Sequence, residues 1–329
     1  MSSMMEIARL CGVSVRTVSR AFSKTEYIDA GTRERILAVA EELGYAPNLA
    51  ARALRTGQSY TLLAIAGTMD ELHTAKMAAF ERAVRNVGYS MHILFLPGNS
   101  GEDQCLDGVV ESVAAQRPAG VAVFPGGEME RAALARRIEA RGFSCVAIDP
   151  QGARCAGVKI DRGQGVFDAV AYLRGRGHAH MAYAGPVSDR SRLRGFERAV
   201  REFGVDATIL AEESFPDQAE GGARAARQWL ALPRRPTAVQ TYSDEFAMGF
   251  LAALHDAGAR VPTDVAVVGF DDRRFAALAW PPLSTVAQPN EEVGRAAAEV
   301  LLAKLSGEEA PRGGWSRTVP TRLVVRGTT

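Results

Sequence analysis

From Thr61 to Asp272 the chain alternates short apolar runs with longer amphipathic stretches, and no other feature restricts its fold as much. TLLAIAG, MHILFL, GVAVF and CVAIDP have the length and near-continuous apolarity of strands buried on both faces. The stretches between them, near residues 77–87, 107–116 and 130–141, carry helical spacing. The pattern then repeats. GVKI, HMAYAG, ATILA, TAVQTY and VAVVGFDD predict strands, and residues 164–174, 193–203, 221–230 and 246–257 predict helices. Such alternation makes a doubly wound parallel sheet, and two series make two lobes. Ligands in these folds sit beyond the carboxyl ends of the strands. That rule points to residues 67–70, 124–126, 149, 185–192, 242–244 and 271–272.

The first sixty residues have a different texture. Ser3-Met4-Met5-Glu6 is a capping-box start, and Ile7, Ala8 and Leu10 give the helix that follows an apolar face. Gly12 can supply the positive φ that ends it. Ser14 can cap a second helix with Val15, Arg16, Thr17, Ser19 and Arg20 outward and Val18, Ala21 and Phe22 inward. Two short helices around a Gly-containing turn, with cations on the second, predict a helix-turn-helix. A plain helical hairpin with solvated arginines is the alternative. Asp29 or Thr32 can start a third helix with a stripe of Ile36, Leu37, Val39, Ala40 and Leu43, and Gly44 stops it. Asn48 can cap a last short helix, LAARALR, whose two turns need a partner or DNA to be stable.

Charge and cysteine content narrow the classes. The net charge of +1 is silent about nucleic acid, and the piece up to Ser59 carries eight basic against six acidic residues. Arg16, Arg20 and Lys24 nevertheless run without an intervening acid, and binding at so low a charge calls for two copies. Cys11, Cys105, Cys145 and Cys155 lack CxxC spacing, so reduced thiols are expected and no metal or cofactor. No secretory h-region and no run of about 18 apolar residues is present, so a cytoplasmic, nucleoid-associated protein without a membrane partner is expected.

Taken together, these residues resemble the LacI/GalR family of bacterial transcription regulators along essentially the whole chain. The markers are IARLCGVSVRTVSR, ELGYAPNLAARAL, the RGH of residues 176–178, RLRGF of 192–196, RVPTDVAVVGFDD, PPLSTVAQP and PTRLVVRGT. The resemblance implies an all-α helix-turn-helix head plus an α/β body, two-lobed and periplasmic-binding-protein-like (type I), with doubly wound parallel sheets. It places the head at 1–46 and a hinge helix and linker at 47–59. The first lobe would take 60–157 plus 289–322, and the second 158–288 plus 323–329, with crossings near 156–159, 287–290 and 323.

By the same resemblance Val15 and Arg16 read operator bases, Arg20 touches base or backbone, and Ser14, Thr17, Ser19 and Asn48 suit the DNA backbone. Leu54 matches an apolar minor-groove wedge, with a dimer-core contact as the alternative, and Arg55 would read groove width. Asp149, Arg192, Phe215, Ser243, Asp244 and Asp271 carry over as effector-cleft residues, with Thr68, His73 and Phe124 as first-lobe contacts. A cap on the helix after it is the alternative for Asp244. Ser243 stands where the family carries Asn. The implied partners are a pseudo-palindromic double-stranded operator, a second copy of the chain, and an effector. That effector would be a sugar, sugar phosphate or sugar acid ahead of a purine. Arg190, Arg192 and Arg194 suggest an anion, although alternate positions cannot all face one cleft.

The function so implied is an effector-controlled, sequence-specific DNA-binding transcription regulator, expected to repress. A cytosolic solute-binding protein without DNA binding is the alternative. A sugar-processing enzyme finds no support, since GxSxG, P-loop and HExxH motifs are all missing. The helices at 75–87 and 130–141 are expected at a dimer interface.

Overall fold

The computed structural model describes residues 3–22, 27–45, 57–67, 69–96, 102–124, 131–150, 155–211, 215 and 217–329. Asn48, Leu54, Arg55 and Thr68, and with them the expected hinge helix, lie outside the described residues.

Three helices form the head: α1 (Met4–Cys11), α2 (Val15–Ala21) and α3 (Ala30–Glu42). Their ends follow from local chemistry. Ser3 Oγ accepts from the Glu6 N–H at 3.2 Å, and Gly12 closes α1 at φ 63°. Asp29, rather than Thr32, caps α3, accepting from the Thr32 N–H at 2.9 Å. Ile7, Ala8, Cys11, Val18, Ala21, Ile36 and Ala40 pack as the core. Leu10 and Leu37, expected inward, are exposed. Cys11 takes the buried position on α1, next to the turn, and the Arg35 guanidinium ties α3 to its carbonyl at 3.3 Å.

The body holds two six-stranded sheets. The first runs β11-β5-β4-β3-β1-β2, all parallel. Its strands are β1 (Thr61–Ala66), β2 (Ser90–Phe95), β3 (Gly120–Val123), β4 (Ser144–Ile148), β5 (Gly157–Asp161) and β11 (Ser316–Pro320). Helices α4 (Glu71–Arg85), α5 (Glu102–Gln116), α6 (Arg131–Ala140) and α11 (Asn290–Leu305) belong with this sheet. The second runs β12-β10-β9-β8-β6-β7, with β12 antiparallel to β10. Its strands are β6 (His180–Gly185), β7 (Asp206–Ala211), β8 (Ala238–Thr241), β9 (Ala266–Asp271), β10 (Ser284–Ala287) and β12 (Arg322–Val324). Helices α7 (Arg162–Gly175), α8 (Arg190–Phe203), α9 (Gln218–Ala231) and α10 (Asp244–Asp256) accompany it. Valine- and alanine-rich strands buried on both faces are what a helix-covered parallel sheet requires.

GVKI was expected to open the second lobe, with the boundary at 157/158. Instead β5 pairs with β4 and β11, so the chain changes sheet at Asp161–Arg162. The reason is the β11 partner, a strand too polar (SRTVP) to be read from apolarity. The other crossings follow β10 and separate β11 from β12, where the Thr321 hydroxyl donates to the Asp161 carbonyl at 3.1 Å. Helix α11 backs the first sheet against α4. A Cβ on Gly294 would lie 2.1 Å from the Lys76 carbonyl oxygen, so only glycine permits this approach.

Candidate functional site

Helix α2 presents one side outward. Ser14 Oγ caps it by accepting from the Thr17 N–H at 3.1 Å. Val15 (41% exposed), Arg16 and Arg20 face away from the core, while Val18 and Ala21 are buried beneath them. Thr17 and Ser19 are half-buried on the flank. The predicted DNA-reading residues on this helix therefore share one accessible surface. A helix so presented can carry an arginine to a guanine edge and a valine to a thymine methyl.

The second site gathers where the carboxyl ends of both sheets meet. Asp149 follows β4 at φ 55°, Asp271 ends β9 at φ 114°, and Asp272 follows it at φ 55°. Left-handed backbone at non-glycine strand ends is strain that the surrounding fold must hold, and it collects at ligand sites. Asp149 is buried, and its carboxylate accepts from Arg162 at 2.6 Å while its carbonyl accepts from Arg131 at 2.9 and 3.0 Å. Burial works to raise its pKa, but the charges and hydrogen bond of Arg162, then Arg131, hold it below the usual carboxylate range.

Arg192 is buried, pairs with Asp189, and lies 3.6 Å from Asp271. Its guanidinium stacks over the rings of Phe270 (4.3 Å) and Tyr242 (4.7 Å). Arg190 and Arg194 point to solvent, so of the three arginines only Arg192 enters the cleft. Asp271 accepts from the Gln288 amide at 2.5 Å, and the Gln288 oxygen accepts from Lys76 Nζ at 3.1 Å. Asp272 turns the other way to Arg326, 2.7 Å off.

The remaining predicted residues divide. His73 Nδ1 is 2.6 Å from Asp70, whose other oxygen accepts from Arg273 of the second lobe at 2.9 Å. Ser243 is the cap of α10, accepting from the Phe246 N–H at 3.1 Å and donating to Gln218. Asp244 is thus the first residue inside that helix rather than its cap. Its carboxyl is fully buried and accepts from the Thr285 hydroxyl at 2.5 Å and the Arg273 N–H at 2.7 Å. Burial pushes its pKa up to about 7, with Asp271 adding to the shift against the Thr285 bond. Phe215 is half-buried, edge-on to Phe246 at 5.8 Å. Phe124 (1% exposed) packs in the first lobe's core, edge-on to Phe80 at 5.7 Å, so its ring serves packing.

Asp189, within the strand-end stretch 185–192, belongs to the cleft, and so do Lys76, Arg131, Arg162, Arg273 and Gln288, which the strand-end rule does not reach. Gln288 follows β10, and the strand-end rule would have found it had STVA been read as a strand. Lys76 gave no such signal, because a lysine on an amphipathic helix reads as solvated.

A helix-turn-helix head joined to a two-lobed sheet body with a polar, strained cleft defines a ligand-controlled DNA-binding regulator. Residues 3–48 match the model of bacterial regulatory proteins of the lacI family, and residues 170–329 match that of a periplasmic binding protein-like domain. The chain belongs to the LacI family and is a sequence-specific DNA-binding transcription regulator. It is 30% identical to the ribose operon repressor of Escherichia coli (strain K12) over 93% of this chain and 94% of that one. It is also 30% identical to the transcriptional repressor CytR of the same strain, over 100% of this chain and 96% of that one. The fold matches a Lac repressor dimer bound to operator and the anti-inducer ONPF, with TM-score 0.76 and 26% identity, covering 99% and 98% of the chains.

Proposed function

We propose that the chain is a cytoplasmic repressor that grips a pseudo-palindromic operator as a homodimer and is switched by a hydroxyl-rich small molecule, a sugar or sugar derivative. The observation that carries the effector class is the Asp149, Arg192, Asp271 and Gln288 constellation at opposed strand ends. Carboxylates, a guanidinium and an amide in fixed positions make the donor–acceptor clamps that vicinal hydroxyls need, and the Tyr242 and Phe270 rings fix the orientation of the planar guanidinium. The name of the ribose operon repressor points the same way. Head, hinge and lobes then work in series: a ligand that closes the lobes alters the paired hinge segments at 47–59 and so the grip on DNA.

Two copies are supported by apolar side chains that a lone chain would leave in water. Leu278 is 83% and Trp280 95% exposed at the end of the second lobe, and Ile93 and Phe95 are exposed along edge strand β2. The cleft is read as a binding site without turnover. Fluorescence anisotropy of the full chain on a selected operator duplex, titrated with pentoses, hexoses and their derivatives, tests this reading. One compound should shift the operator affinity, and Arg192→Ala should lose the shift while keeping DNA binding. An operator affinity indifferent to every such compound would overturn the effector reading.

A further inference from the structure

Lys76 sits midway along α4, only 2% exposed, in a cleft otherwise made of paired charges. The contact of its backbone with Gly294 fixes α4 on α11, and its side chain runs to Gln288 at the second crossing. An ammonium has three protons to donate. Among the described residues Lys76 makes one hydrogen bond, to the neutral amide oxygen of Gln288, and no carboxylate stands within ion-pair distance.

The carboxylates near it are already engaged. Asp70 is held by His73 and Arg273, Asp149 by Arg162 and Arg131, and Asp271 by Gln288 and Arg192. Asp189 is taken by Arg192, and Asp244 is spent on Thr285 and the Arg273 N–H. Two more donors in the cleft, Arg192 Nε and Arg273 Nε, are buried without a partner among the described residues. A buried ammonium with unfilled donors is costly unless something accepts from it. Desolvation does push its pKa down, to about 8, with Arg162 adding to the effect and Asp149 and Asp271 opposing it, which leaves the ammonium form dominant at neutral pH.

We propose that Lys76 binds an anionic group of the effector, so that the cleft takes a hydroxylated compound bearing a carboxylate or phosphoryl group in preference to the neutral sugar. The inference rests on the effector reading above and narrows it. The anion accepts from Lys76 Nζ, whose one hydrogen bond among the described residues goes to Gln288, while Asp149, Arg192 and Asp271 hold the hydroxyls. Because Gln288 links Lys76 to Asp271 beside a crossing between the lobes, the charge reports directly to the lobe angle.

The test is calorimetry on the full chain with matched probes: hexonates, hexuronates, pentose phosphates and hexose phosphates, each beside its neutral parent. At least one acid should bind, with its parent at least about tenfold weaker, and the winning acid tells carboxylate from phosphoryl. Lys76→Met should cost that acid about 10- to 100-fold in affinity, the range for a hydrogen bond to a charged group, and cost the neutral parent markedly less. Lys76→Gln, which keeps a donor without the charge, should fall between wild type and Lys76→Met, and a retained cooperative thermal transition with native far-UV circular dichroism shows that both variants fold. A parent binding as well as its acid, an acid indifferent to both substitutions, or heat from no acid overturns the proposal. Where a neutral sugar alone binds and shifts operator affinity, the effector reading stands and only the role of Lys76 falls. Where no compound of either kind binds, both fall.

Discussion

Arg273 of the second lobe reaches Asp70 of the first, its Nη2 2.9 Å from Oδ2, and the neighbouring Arg274 N–H donates to Glu71 at 3.3 Å. These contacts join the turn after β9 to the start of α4, far in sequence from the crossings. They latch the lobes at the front of the cleft, where Lys76 and Gln288 join them deeper inside.

Arg273→Ala should therefore loosen the lobes and lower stability by about 1 kcal/mol, since Asp70 is one-third exposed and solvent screens part of the pair. Burial tends to raise the Asp70 pKa, but His73 and then Arg273 outweigh it and hold it well below the usual range. A depressed carboxyl pKa contributes stability above the unfolded value near ~3.9, lost as pH falls towards the folded value. Urea midpoints of wild type and variant should differ at pH 7 and begin to draw together only as pH falls below about 4 towards the folded value.

Asp244 runs the opposite way. Its folded pKa is raised to about 7, so between the unfolded value and there the native state holds the extra proton. Stability from this group falls as pH rises from about 4 to 7, by an amount on the order of a few kcal/mol. Asp244→Asn keeps an acceptor for the Arg273 N–H and removes the titration. Its denaturation midpoint should be flatter than that of wild type between pH 5 and pH 8.

Gly294→Ala places a methyl 2.1 Å from the Lys76 carbonyl oxygen and 2.9 Å from Ala79 Cβ. Helices α4 and α11 must part, which costs about 1–3 kcal/mol and lowers the melting temperature. Calorimetric scanning checks this.

Arg16→Ala should relax preference at one base pair in each half-site, a loss of about 1–3 kcal/mol of discrimination, with affinity for unrelated duplexes little changed. Selection from a randomised duplex library by wild type and variant would show it.

Much of this architecture was legible because its signals are local. Ser3, Ser14 and Asp29 cap helices through their own side chains, Gly12 and Gly44 close them, and the valine- and alanine-rich strands announce a helix-covered sheet. What escaped depends on distant partners. Strand β11 becomes a strand by lying against Val158 and Ile160, and its polar sequence gave no hint of that. Ser243, not Asp244, caps α10, because Asp244 is drawn away by Thr285, forty-one residues further along. Strand ends located Asp149 and Asp271. The buried Lys76 could be seen only once α4 had been set against α11.

The outer face of α2 is expected to select a duplex sequence. Sequencing the fragments that the full chain retains from a randomised duplex library tests it most directly. The expected result is a two-fold symmetric site whose binding weakens steeply with salt, in proportion to the phosphates neutralised. Recovery of no preferred sequence, or of the same sequence after Val15 and Arg16 are both replaced by alanine, would contradict it.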